Sequence, residues 1–124
     1  MKTDAQWRQQ LGPDRYHILR EAGTERAGTS PLNDEHRKGT FVCVADGNPL
    51  FSSTTKFDSG TGWPSFFKAL PGAVVTRGVK SLFLGTEILC ARCGGHLGHV
   101  FNDGPRPTGL RYCMNGLALR FRAA

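Results

Sequence analysis

Long hydrophobic runs are missing from this 124-residue chain. No apolar stretch approaches the ~20 residues that a membrane-spanning helix needs, which excludes that class of membrane protein. The first 20 residues interleave charged and apolar side chains, so they do not read as an export signal, and a cytoplasmic location is expected. Basic tracts are scarce too: no run of Lys or Arg exceeds the pair Arg37-Lys38, despite a net charge of +6. A nucleic-acid footprint is therefore not visible, and no nucleic-acid partner is expected. Internal repeats and strand-helix alternation are absent as well, which removes solenoids and parallel α/β sheets.

What remains is of ordinary soluble composition, 39% hydrophobic and 21% charged, and of a length that supports one core. The expectation is a single domain over residues 1–124, with a helical lead-in and irregular arm at 1–40 and a β core at 41–121. Thr3 to Leu11 starts with capping residues and sets Trp7 and Leu11 four apart, as one face of a short helix requires. Gly12-Pro13 stops it, and a second helical stretch runs from Pro13 to about Glu21, with Tyr16 and Leu19 on one side. Residues 22–40 are rich in Gly, Thr and charge and read as an arm.

From Phe41 the pattern becomes short β-like runs: FVCV, PLFSSTT, GAVVT, KSLFLGTEILC, HVF, LRYCMN and LALRF. Each is bounded by Gly, Pro, Asn or Asp. Sixteen glycines and seven prolines are more than the usual share and suit many turns between short strands.

The four cysteines lie at 43, 90, 93 and 113. In a reducing compartment they favour metal binding or thiol chemistry over disulfides. Cys90-Ala-Arg-Cys93-Gly is a knuckle that aims two sulfurs at one ion, and Cys43-Val-Ala-Asp46-Gly repeats the spacing with a carboxylate in the fourth place. Two readings stand: a zinc site built from Cys43, Asp46, Cys90 and Cys93, or a lost metal site whose thiols are packing residues or spare reductants. Cys113 stands apart, to be read either as a buried small hydrophobe or as a nucleophile. On a strand, Arg111 and Asn115 share its face, one able to hold negative charge on the sulfur and the other offering an amide donor. The segment HLGHVFNDGP (96–105) supplies His96, His99 and Asp103; the histidines are either satisfied by backbone groups in a turn or a general acid beside a nucleophile, since imidazole can deliver a proton near neutral pH. Trp63, in a Gly/Pro-rich loop, is either a core residue or, where exposed, an apolar wall for a substrate methyl group.

Taken in order, KFDSGTGWPSF (56–66), GTEILCxxC (85–93), HLGHVFNDGP (96–105) and GLRYCMN (109–115) closely resemble the methionine-R-sulfoxide reductases of the B type, the SelR domain family. The resemblance spans about residues 5 to 121. It implies a mainly β, Mss4-like fold: two antiparallel sheets in a small barrel-like sandwich, with short N-terminal helices. The implied activity is reduction of the R epimer of methionine sulfoxide, free or within proteins, with no organic cofactor and with thioredoxin or a small thiol as reductant.

Carried over by motif, Cys113 is the nucleophile, and His96 and His99 are the acid and orienting histidines, fixed by Asp103 and Asn115. Arg111 is the cation favouring the thiolate; Trp63 and Phe101 receive the substrate. Two departures stand out. Thr61 occupies the place where many members carry a resolving cysteine, so direct reduction by an external thiol is expected. Asp46 occupies a zinc-ligand position held elsewhere by cysteine. A monomer without membrane contact is expected. The rival readings are a zinc-knuckle binding module without catalysis, and a general thiol oxidoreductase working through Cys90 and Cys93.

Overall fold

Thr3 opens the chain's helix with a reciprocal cap, its side chain accepting the Gln6 N–H while the Gln6 side chain accepts the Thr3 N–H. In this computed structural model, which describes residues 2–77 and 85–124, the helix α1 (Asp4–Arg20) is broken at Gly12. The φ of 79° and ψ of 167° there lie outside helical space, and Pro13 restarts the helix in its first turn. The two expected helical pieces are therefore present, end to end. Trp7, Leu11, Tyr16, Ile18 and Leu19 are buried. The arm that follows holds one 3-10 turn, Pro31–Asp34, whose Leu32 N–H is capped by the Ser30 hydroxyl.

Among the described residues nine strands follow: β1 (Gly39–Cys43), β2 (Pro49–Ser52), β3 (Lys56–Phe57), β4 (Ser65–Phe66), β5 (Val74–Arg77), β6 (Thr86–Cys90), β7 (His96–Phe101), β8 (Arg111–Met114) and β9 (Leu119–Ala123). All pairings among them are antiparallel. They form a three-stranded sheet, β2-β1-β9, and a six-stranded one, β3-β4-β8-β7-β6-β5. The fold is mainly β and sandwich-like, as expected, but among the described residues the sheets do not close into a barrel. The expected strand PLFSSTT ends at Ser52, because the Ser52 hydroxyl accepts the Thr54 N–H and turns residues 53–55 into a 3-10 segment. Residues 80–84 of the expected strand KSLFLGTEILC lie outside the described residues.

Phenylalanines join the sheets. Phe51 of β2 stacks on Phe66 of β4 with ring centroids 4.3 Å apart, and Phe41 of β1 meets the same ring edge-on at 5.0 Å. All three are fully buried. Truncating Phe66 to Ala would cost about 3–5 kcal/mol, since it removes the contact between the sheets. The helix docks on β7, where Leu19 packs against Gly95 closely enough to exclude a larger side chain. Arg20 donates to the Cys93 carbonyl at 3.1 Å and so ties the helix to the CxxC turn.

Candidate active site

Register decides which side chains meet. In β7 and β8 the cross-strand partners are Phe101 with Arg111, His99 with Cys113, and Gly98 with Met114. Arg111 and Cys113 are two apart on one strand, as are Phe101 and His99 on the other, so these four share a face. A Cβ at Gly98 would strike the Cys113 carbonyl, so glycine is what lets the two strands approach beside the sulfur. On the other side of β8, β4 sets Ser65 opposite Cys113.

Cys113 is partly exposed at the wall of a cavity of about 190 Å³. Trp63, Phe101, His99, Asn115 and Thr24 complete most of the lining. The cavity therefore has aromatic walls, one imidazole and one thiol, which suits a small apolar group carrying a single polar atom. Trp63 is held by its indole N–H, which donates to the Glu25 carbonyl at 3.0 Å.

The histidines are arranged by a residue that the sequence reading did not single out. Glu87 of β6 accepts from His96 Nδ1 at 2.7 Å and is clamped by both Arg77 donors at 2.9 Å. Arg77, and then His96, hold the Glu87 carboxyl below its ordinary value. With Nδ1 committed to a carboxylate, the other ring nitrogen of His96, Nε2, is buried with no partner among the described residues. The His99 ring lies 5.4 Å from that of His96, edge to face. Burial, then His96, push the His99 pKa down from 6.5, opposed by Glu87. The signal for Glu87 was a lone carboxylate inside the apolar run TEILC, a position that calls for a buried partner.

Two expected roles are corrected. Asp103 does not join the histidines; its carboxylate takes two hydrogen bonds from Arg111, at 2.8 and 3.1 Å, which lower its pKa and raise that of Arg111. Arg111 also lies over the Phe101 ring at 4.2 Å and interacts with Cys113. Asn115 is not a histidine partner either. Its side-chain carbonyl accepts the Glu25 N–H at 2.9 Å, and its amide donates to the carbonyls of Leu97 and Gly23. Although it lines the cavity, its polar atoms fasten the arm at Gly23–Glu25 to β7.

The remaining cysteines are gathered elsewhere, at the β1–β2 and β6–β7 turns. One donor atom each from Cys43, Asp46, Cys90 and Cys93 lies within 4.8 Å of all the others, a group that could hold a metal and is compatible with zinc. The two turns are alike in detail. Gly47 donates to the Cys43 carbonyl and Gly94 to the Cys90 carbonyl, both with φ near 75°. The Asn48 N–H donates to the Asp46 carboxylate as the Gly95 N–H donates to the Cys93 sulfur. Asp46 thus stands where the second knuckle has Cys93.

Tetrahedral zinc with metal–sulfur bonds of about 2.3 Å requires sulfurs about 3.8 Å apart, and Cys43 and Cys93 are 3.8 Å apart. Hydrogen bonds from Cys43 and Cys93 drive the Cys90 thiol well below its ordinary pKa, while Cys90, Cys93 and burial push Cys43 up. The Cys90 sulfur lies 3.5 Å from the Asp46 carboxylate. Ionised together, a thiolate and a carboxylate that close would fit a cation between them.

With this geometry in place, the comparison with known proteins is direct: the SelR domain model matches residues 11–123, and the chain belongs to that family. It is 57% identical over 122 residues to the peptide methionine sulfoxide reductase MsrB of Thiobacillus denitrificans, covering 97% of this chain and 92% of the relative. The MsrB of Leptospira interrogans is 54% identical over 123 residues, covering 98% and 94%, and that of Agrobacterium fabrum is 57% identical over 122 residues, covering 97% and 90%.

Proposed function

We propose that this protein reduces methionine sulfoxide to methionine, acting on the R epimer, free or within oxidised proteins, with Cys113 as nucleophile. Its SelR membership and its MsrB relatives support the reaction class. One observation carries the assignment within the chain: Cys113 meets the cavity directly opposite His99, between aromatic walls and beside Arg111.

The Cys113 thiolate attacks the sulfoxide sulfur while His99 supplies a proton to the oxygen. The oxygen passes to Cys113 as a sulfenic acid; the substrate sulfur gains two electrons and methionine leaves. Arg111, aimed by Asp103, favours the thiolate. Glu87 sets the tautomer of His96, which stands behind His99. Trp63 and Phe101 take the methyl end, so only one arrangement at the chiral sulfur turns the oxygen toward His99.

Thr61 lies next to Cys113 where a resolving cysteine would otherwise stand, at 3.7 Å, and offers only a hydroxyl. The sulfenic acid is therefore reduced by an external thiol, thioredoxin or a small one, which forms a mixed disulfide with loss of water and is released by a second thiol. Cys43 and Cys90 are fully buried and do not serve. Cys43, Asp46, Cys90 and Cys93 hold structural zinc, whose charge offsets their own and pins the β1–β2 turn to the β6–β7 turn.

The test is turnover of resolved R and S sulfoxides by the native protein and C113S, with thioredoxin and with dithiothreitol. R-only turnover lost in C113S supports the reading; activity surviving in C113S ends it. For zinc, about one ion per chain is expected without added metal, and less than about a tenth of an equivalent excludes the site.

A further inference from the structure

Beside Cys113 runs a chain of three hydroxyls that the reaction above leaves unused. Thr61 Oγ1 lies 3.7 Å from the Cys113 sulfur, Ser59 Oγ lies 2.8 Å from Thr61 Oγ1, and Ser65 Oγ lies 2.7 Å from Ser59 Oγ. Beyond Ser65 the Trp63 carbonyl accepts at 3.1 Å. Ser65 is 1% exposed and is the β4 residue paired with Cys113, so the inner end of the chain is dry and fixed to the strand that carries the sulfur. The Trp63 N–H, at 3.4 Å, further orients Thr61 Oγ1.

Each hydroxyl owns one proton, so the direction of the whole chain is set at its ends. With Cys113 as a thiol, S–H donates to Thr61, Thr61 to Ser59, Ser59 to Ser65, and Ser65 to the Trp63 carbonyl. With Cys113 as a thiolate the sulfur can only accept. Three O–H bonds then rotate, Ser65 donating to Ser59, Ser59 to Thr61, and Thr61 to sulfur, with no proton leaving its oxygen. The exchange releases two neutral hydrogen bonds, the weak one from S–H and the one at the Trp63 carbonyl, and gains one to an anion, which is the stronger kind.

We propose that the Ser65–Ser59–Thr61 chain is a reversible hydroxyl relay that stabilises the Cys113 thiolate, with Thr61 as a further catalytic residue donating to the reacting sulfur. This rests on Cys113 being the nucleophile. It gives the residue in place of a resolving cysteine a positive role: Thr61 holds the sulfur ready for attack and cannot close a disulfide onto it. The charged and titratable groups around the sulfur are Arg111 on its own strand, bearing Asp103, and His99 from β7, with His96 and Glu87 behind. The β4 side contributes the hydroxyls, and Asp58, at the start of that loop, caps the Gly60 N–H.

The test measures the pH dependence of Cys113 alkylation by iodoacetamide, read on the Cys113 peptide by mass spectrometry, in the full chain and in T61V, T61S and S59A. T61V, of equal shape, should react about tenfold more slowly at pH 7, with its midpoint about one pH unit higher. T61S should restore the native profile to within about twofold, and S59A, which cuts the relay one link back, should slow alkylation by about threefold. A T61V profile matching the native one overturns the relay, as does T61S behaving like T61V. Turnover of C113S separates this from the underlying reading: if C113S is inactive and T61V titrates normally, only the relay fails. If C113S turns over, the nucleophile assignment fails and the relay with it.

Discussion

Cys43, Cys90 and Cys93 crowd against one another and against a carboxylate, two of them with no exposed surface, whereas Cys113 meets a cavity with a guanidinium, an imidazole and a hydroxyl around it. The proposed function gives the same side chain opposite work. In the cluster the donor groups are three sulfurs and a carboxylate with no cationic side chain among them, a set that could hold a metal ion. At Cys113 the neighbours are themselves cationic or proton-donating, the setting that the proposed nucleophile needs. On that proposal neighbours, rather than the thiol, divide structure from chemistry.

The largest test of that division is a pair of serine substitutions. C113S should lower sulfoxide turnover by at least about a thousandfold while leaving the unfolding midpoint nearly unchanged. C90S should do the reverse in emphasis, losing bound metal and several kcal/mol of stability, as zinc content and denaturant titration would read. Equal effects of the two on stability would erase the contrast.

Next comes the proton. H99N should reduce kcat by about a hundredfold. Burial and His96 hold the His99 pKa below 6.5, so its donating form is populated only at lower pH. The His99-dependent part of kcat should thus be greatest below that lowered pKa and decline as pH rises through it; H99N should flatten this limb, and an unaltered profile would remove His99 from the role.

In the cluster, D46A should weaken zinc retention against a chelator by at least about tenfold, and D46C should tighten it, because thiolate is the softer donor. Indifference to both would show that Asp46 is not a ligand. The smallest effect is at the rim: D103N leaves Arg111 unaimed and should cost about threefold in kcat/KM, with under about 1 kcal/mol of stability, since Asp103 is largely exposed.

Much of this architecture was legible in the sequence because local rules suffice for it. Gly12-Pro13 broke the helix where backbone geometry requires a break, and the two knuckles shared a spacing that folds into matching turns. The roles of Asp103 and Asn115 were not legible. Asp103 stands four residues beyond His99 in sequence, yet strand β7 carries the chain on so that its carboxylate reaches Arg111 of β8. Asn115 is in step with Cys113, yet the returning arm at Glu25 claims its amide. Glu87 was hidden for the same reason, its partners being set by β5 and β7 on either side.

The sequence by itself determined the inventory: which residues can ionise, ligate or donate, where the backbone must turn, and that the motifs match one family, since side-chain chemistry and local backbone preference need no distant partner. Tertiary structure alone decided the pairings: Glu87 with His96, Asp103 with Arg111, His99 across from Cys113, and three hydroxyls in line with its sulfur. Hydrogen bonds act over a few ångströms, and only strand register and the fold of the arm bring residues far apart in the chain within that reach.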